Sequence, residues 1–212
     1  LIEAGDYRAA LEALARVDPG PPPADPRLSP STLATRAERL IALEPKLPAV
    51  LDGRERPGDP DALADFARMA SSRHSYAAAA RLWAEAFDVE PALAADPTTG
   101  NRFQAIRAAA LAGAEGDPSA HSPDAPSQAR WRAQAVAWLE ADLAASALLE
   151  SGTFRQRAAV ARRLGRWRVD PALAGLREER AVAGLPEPER RGLLDLWRRI
   201  DALRAKAAAP AP

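Results

Sequence analysis

His74 and His121 are the only imidazoles in the chain, and they are the first residues to test for acid–base or metal chemistry. A general base or a metal ligand needs partners at defined spacing. None accompanies either residue. His74 falls between two helical runs, and His121 falls in a stretch rich in Gly, Pro, Ser and Asp. Both read as solvated loop residues. The chain has no cysteine, which removes thiolate catalysis, thiolate metal sites and disulfides. Carboxylates are plentiful, but they follow the i, i+4 pattern of exposed helix faces, and no glycosidase-like pair stands out. A non-catalytic chain with no cofactor and no metal is the expectation.

Binding chemistry has stronger signals. The stretch 153–169 carries Arg155, Arg157, Arg162, Arg163, Arg166 and Arg168 and no acidic residue. On a helix, Arg155, Arg162 and Arg166 share one stripe. That stripe could contact an anion or a nucleic acid. The competing reading is a solvated face neutralised by acidic neighbours such as Glu178 and Glu179. Formal charge over the chain is zero, so no global field draws in nucleic acid, and no nucleic-acid partner is expected. Trp83, Trp131, Trp138, Trp167 and Trp197 could stack bases. Each lies on a stripe with Leu or Ala, which assigns them to the core. Trp131, flanked by Arg130 and Arg132, is the most exposed of the five on this reading.

The elements that hold these residues are helical. Alanine supplies about a quarter of the chain, Leu and Arg are abundant, and β-branched residues are few. Residues 60–93 resemble a tetratricopeptide repeat, a helix-turn-helix unit of about 34 residues. Leu63, Phe66, Ala67 and Ala70 mark the inner face of a first helix. Tyr76, Ala79, Ala80, Trp83 and Ala86 mark a second, and Pro91 stops it. Ala67 and Ala79 are placed where two backbones cross, where only a methyl group fits. Such a unit cannot bury its apolar face alone and stacks on neighbours.

The rest of the chain extends this reading. Residues 1–17 read as a partial repeat, with Gly5 at its turn and Tyr7, Ala10, Leu11 and Leu14 on the packed side. Residues 18–59 form a Pro-rich connector and a helix capped by Ser31 or Thr32. Residues 94–151 read as a repeat-like hairpin with an inserted loop at 113–127; its helices cover 102–111 and 126–151. Residues 152–206 form a helical C-terminal extension with helices at 153–167 and 188–206; Leu193, Leu194, Trp197, Ile200 and Leu203 mark the apolar face of the second, and Trp167, Leu173 and Leu176 pack the irregular link between them, while 207–212 are a disordered tail. No apolar run reaches membrane-span length. The chain starts at Leu1 inside a motif, which suggests a fragment of a longer, cytoplasmic protein.

Several short strings resemble, in order, the segment that follows the catalytic domain in planctomycete-type bacterial serine/threonine protein kinases. They are Ala42 to Leu51, Tyr76 to Leu82, Trp138-Leu139 with Asp142-Leu143, Asp170-Pro171 with Leu173 to Gly175, and Leu196-Trp197 with Asp201 to Leu203. The resemblance implies a C-terminal partner-binding module of a signalling kinase. The chain departs from the family at 103–107, where Arg107 falls near a packing position. It also lacks the Gly-rich loop, His-Arg-Asp and Asp-Phe-Gly motifs of a kinase domain.

The expectation is an all-α, tetratricopeptide-like right-handed solenoid of helical hairpins that binds a protein or peptide partner. First helices line the inner curve of such arrays. Asp61, Ala64, Asp65, Arg68, Ser71, Ser72, Asn101, Gln104 and Ala108 would then face solvent, with Asp61, Asp65, Arg68, Ser72, Asn101 and Gln104 as the peptide-contacting set. The alternative is a structural spacer or oligomerisation segment.

Overall fold

Alanine-rich helices pack by close backbone approach, and arginine stems and a few large side chains fill what remains. The computed structural model describes residues 2, 5–17, 26–96, 99–114, 124–149 and 152–209. Their regular structure is entirely helical, with no strand among the described residues. No helix among them is long and apolar enough to cross a membrane. Two compact units divide the chain, Leu1–Ala92 and Leu93–Pro212.

In the first unit, Gly5 turns the chain at φ +82° into α1 (Tyr7–Leu14), and Asp6 caps that helix by accepting from the Ala9 amide at 3.1 Å. Tyr7 and Ala10 are buried, and α1 packs along α2 (Pro30–Leu43). The cap of α2 is Ser29, not Ser31 or Thr32: its Oγ accepts from the Thr32 amide at 3.2 Å. Pro30 takes the first helical position, where its missing N–H costs nothing, and so the helix begins earlier than expected. Most of the Pro-rich connector, 18–25, lies outside the described residues. A 3-10 turn at Glu44–Lys46 leads into α3 (Leu47–Leu51), which buries Leu47 and Val50.

α4 (Pro60–Ser72) and α5 (Tyr76–Val89) form a tight hairpin. Ala67 and Ala79 are fully buried, as a close backbone crossing demands, and Leu63, Phe66 and Trp83 fill the flanking space. His74 makes the turn at φ 59°, with Nδ1 2.6 Å from the Tyr76 hydroxyl. Its role is local, consistent with a loop residue. His121 lies outside the described residues.

The short α6 (Ala92–Ala95) begins at the unit boundary. In the second unit, α7 (Asn101–Ala112) packs on α8 (Ala125–Ala147). The approach is close: a Cβ on Gly113 would lie 2.5 Å from Cγ of Arg132 and 2.9 Å from its amide nitrogen. The expected loop between these helices lies largely outside the described residues, and α8 ends at Ala147 rather than at 151. Trp138 is half-buried rather than core, because it sits at the edge of the buried line Ala135, Leu139, Asp142 and Ser146. Trp131 is also half-buried, beneath the Arg130 guanidinium at 4.9 Å.

α9 (Phe154–Val169) opens on a capping box: Thr153 Oγ1 accepts from the Gln156 amide at 3.3 Å, and Gln156 Oε1 accepts from the Thr153 amide at 2.8 Å. A 3-10 turn at Pro171–Leu173, α10 (Ala174–Arg177) and α11 (Glu179–Ala183) connect it to α12 (Glu187–Ala208). α9 and α12 pack together, and Trp167, Leu173 and Leu176 are buried in the link as expected. Trp197 Nε1 donates to the Leu176 carbonyl at 2.7 Å. The core stripe of α12 is Leu193, Leu196, Trp197 and Ile200. Leu194 is one residue off that stripe and 55% exposed, so it leaves the apolar face assigned to it. The tail does not fray at Ala207. That residue is buried in α12, and Arg157 donates to the Ala209 carbonyl at 3.4 Å.

Candidate functional site

The residues expected to line an open peptide groove divide between the units. In unit 1, Asp65 is buried. One oxygen of its carboxylate pairs with Arg39 Nε of α2 at 2.8 Å, the other with Arg68 at 3.0 Å. Arg68 in turn lies 5.0 Å over the Trp83 ring. Ala64 is buried too, and the Ser72 hydroxyl donates to the Met69 carbonyl at 2.9 Å. Asp61 alone of its peptide-contacting set in this unit is openly exposed. The reason for the correction is α2: its Arg39 covers the face that a bare repeat would leave to solvent.

In unit 2, Asn101 and Ala108 are likewise buried rather than solvent-facing. Asn101 Nδ2 donates to the Leu93 carbonyl at 3.3 Å, tying the start of α7 to the chain before it. Gln104 behaves differently. It is half-buried, accepts from Arg107 at 3.3 Å, and lines a pocket of about 180 Å³ at the N-terminal end of α7.

Three long helices build most of that pocket, and Ala94 of α6 lines one side. α7 contributes Arg102, Phe103 and Gln104 from its first turn, α8 contributes Asp142, and α9 contributes Arg163, Arg166 and Trp167. Gly100 begins α7 at φ +70° and offers no capping side chain, so the positive end of the helix dipole faces the same space. Asp142 is buried and shared: Arg102 approaches one of its oxygens at 3.1 Å and Arg163 the same oxygen at 3.9 Å. Arg163 also donates to the buried Ser146 hydroxyl at 3.4 Å. Arg166 is exposed at the mouth. Asp96 lies on the wall as well, so three guanidiniums face two carboxylates. Arginine does not give up its proton in proteins, so these groups can hold and orient an anion but cannot relay protons.

The expected anion stripe is open. Arg155, Arg162 and Arg166 are all exposed on α9 and have no ion-pair partner among the described residues. Glu178, proposed as a neutralising neighbour, pairs instead with Arg177 at 3.7 Å. Arg163 and Arg168, on the same helix, are engaged with Asp142 and Asp201. Arg107 does not intrude on packing; its Nε lies 3.4 Å from Asp170. No group of three His, Cys, Asp or Glu side chains poised to hold a metal occurs among the described residues. Arg102, Asp142 and Arg163 were not expected at a site. The available signal was Asp142 itself, a carboxylate on an otherwise apolar stripe.

No protein-family profile, curated protein or solved structure matches this chain.

Proposed function

We propose that this chain is a non-catalytic protein-interaction module, and that a partner anchors on the pocket at the head of α7. The observation that carries the reading is the cluster of Arg102, Arg163 and Arg166 around a cavity of about 180 Å³. Such a cavity suits one charged side chain or chain terminus. The α4–α5 hairpin, with alanines at its crossing, supports the tetratricopeptide-like solenoid as its architecture. Attachment to a bacterial signalling kinase is part of the proposal and rests on the ordered strings alone.

An array of immobilised peptides of varied composition, probed with the purified chain, tests the reading. A binding module retains a defined subset. A spacer or oligomerisation segment retains none above background.

A further inference from the structure

The geometry points to an extended acidic peptide as the ligand, lying along α9 with one carboxylate seated in the α7 pocket; this rests on the interaction reading above. Four observations converge. First, Arg155, Arg162 and Arg166 form an exposed stripe, without an ion-pair partner among the described residues, on a helix whose sequence, from Phe154 to Val169, has no acidic residue. Second, Arg166 belongs to both the stripe and the pocket, so the two form one continuous basic surface.

Third, the spacing fits. At a rise of about 1.5 Å per residue, Arg162 and Arg166 lie about 6 Å apart along the axis. Side chains on one face of an extended peptide repeat at nearly that interval, about 6.6 Å. Arg155 lies about 10 Å beyond Arg162, within reach of the next acidic side chain but one through the long arginine stem. Fourth, the pocket already holds the ligand chemistry in miniature: Asp142 places its carboxylate between Arg102 and Arg163. An incoming carboxylate would compete with Asp142 for those guanidiniums and gain Arg166.

A peptide fits better than a nucleic acid. The chain's formal net charge is zero, so no global field draws in a continuous phosphate backbone. Trp167 is buried, so it offers no face for base stacking.

Fluorescence anisotropy on the full chain tests this with four probes: a labelled decamer alternating Glu and Ser, its Gln counterpart, inorganic phosphate as competitor, and a single-stranded oligothymidine. The expected result is a Kd on the order of 10 μM for the Glu peptide at low salt. Binding should weaken steeply as ionic strength rises. The Gln peptide should not bind, and phosphate should compete only weakly. Arg162→Glu/Arg166→Glu, which alters exposed side chains only, should weaken binding on the order of tenfold. Asp142→Asn should tighten it by freeing Arg102 and Arg163. Circular dichroism keeps the variants comparable, and the charge-reversed pair decides the matter if Asp142→Asn unfolds. The inference is overturned if the Glu peptide fails to bind, if the reversed pair binds it equally well, or if oligothymidine binds as tightly. If the array yields binders but none is acidic, the interaction reading survives and the acidic ligand does not.

Discussion

Arg102, in the first turn of α7, meets Asp142, about three-quarters of the way along α8, at 3.1 Å. This pair joins the helices at the pocket and is largely shielded from water. It should therefore couple more strongly than a surface ion pair. A double-mutant cycle of Arg102→Ala and Asp142→Ala, read by denaturant unfolding, should give a coupling energy of about 1 kcal/mol or more. Asp142→Ala alone should cost about 1–3 kcal/mol, because two guanidiniums lose their shared acceptor.

Arg132 holds three elements together. Its guanidinium donates to the Gly113 carbonyl at the end of α7 at 2.9 Å and grips both oxygens of Glu189 on α12 at 2.5 and 3.2 Å. Replacing it with Met keeps much of the stem but strands the carbonyl and the carboxylate. The expected loss is about 2–3 kcal/mol, measurable by denaturant unfolding.

Two glycines should respond oppositely to alanine. Gly192 lies within α12 with nothing near a prospective Cβ, so Gly192→Ala should stabilise by about 0.5–1 kcal/mol. Gly113 is pressed against the α8 backbone, so Gly113→Ala should destabilise by about 1–3 kcal/mol. Thermal melts of the two variants check both signs.

Tyr7 should make the protein sensitive to alkali. Burial lifts its phenol above the ordinary value of 10.0, partly offset by its hydrogen bond with Ser72. The folded pKa exceeds the unfolded one. The corresponding stability is complete below about pH 10 and is lost as pH rises through the folded value. Unfolding midpoints compared below and above pH 10 should show this loss, and Tyr7→Phe should remove its share.

The sequence made the helices and their pairing legible because alanine spacing and caps are local signals. Ala67 and Ala79, the Thr153 start and the Trp167–Leu173–Leu176 link follow from periodicity and capping alone. The exposed faces were harder to read. Asp65 looked solvent-facing on α4 because nothing local shows that Arg39, from α2, reaches it. Asn101 looked open for a similar reason: its acceptor is a backbone carbonyl at Leu93, invisible to side-chain patterning. The Arg155–Arg162–Arg166 stripe was legible, but its junction with Arg102 and Asp142 depends on how three helices converge. Only the carboxylate on the apolar stripe of α8 hinted at that junction.

Hydrogen–deuterium exchange of the full chain, with and without the alternating Glu–Ser decamer, tests most directly whether the pocket is the partner-binding surface. The account predicts slowed exchange at residues 100–107 and 162–169 when peptide is added. Slowing confined to 61–72, or none at the highest attainable peptide concentration, would contradict it.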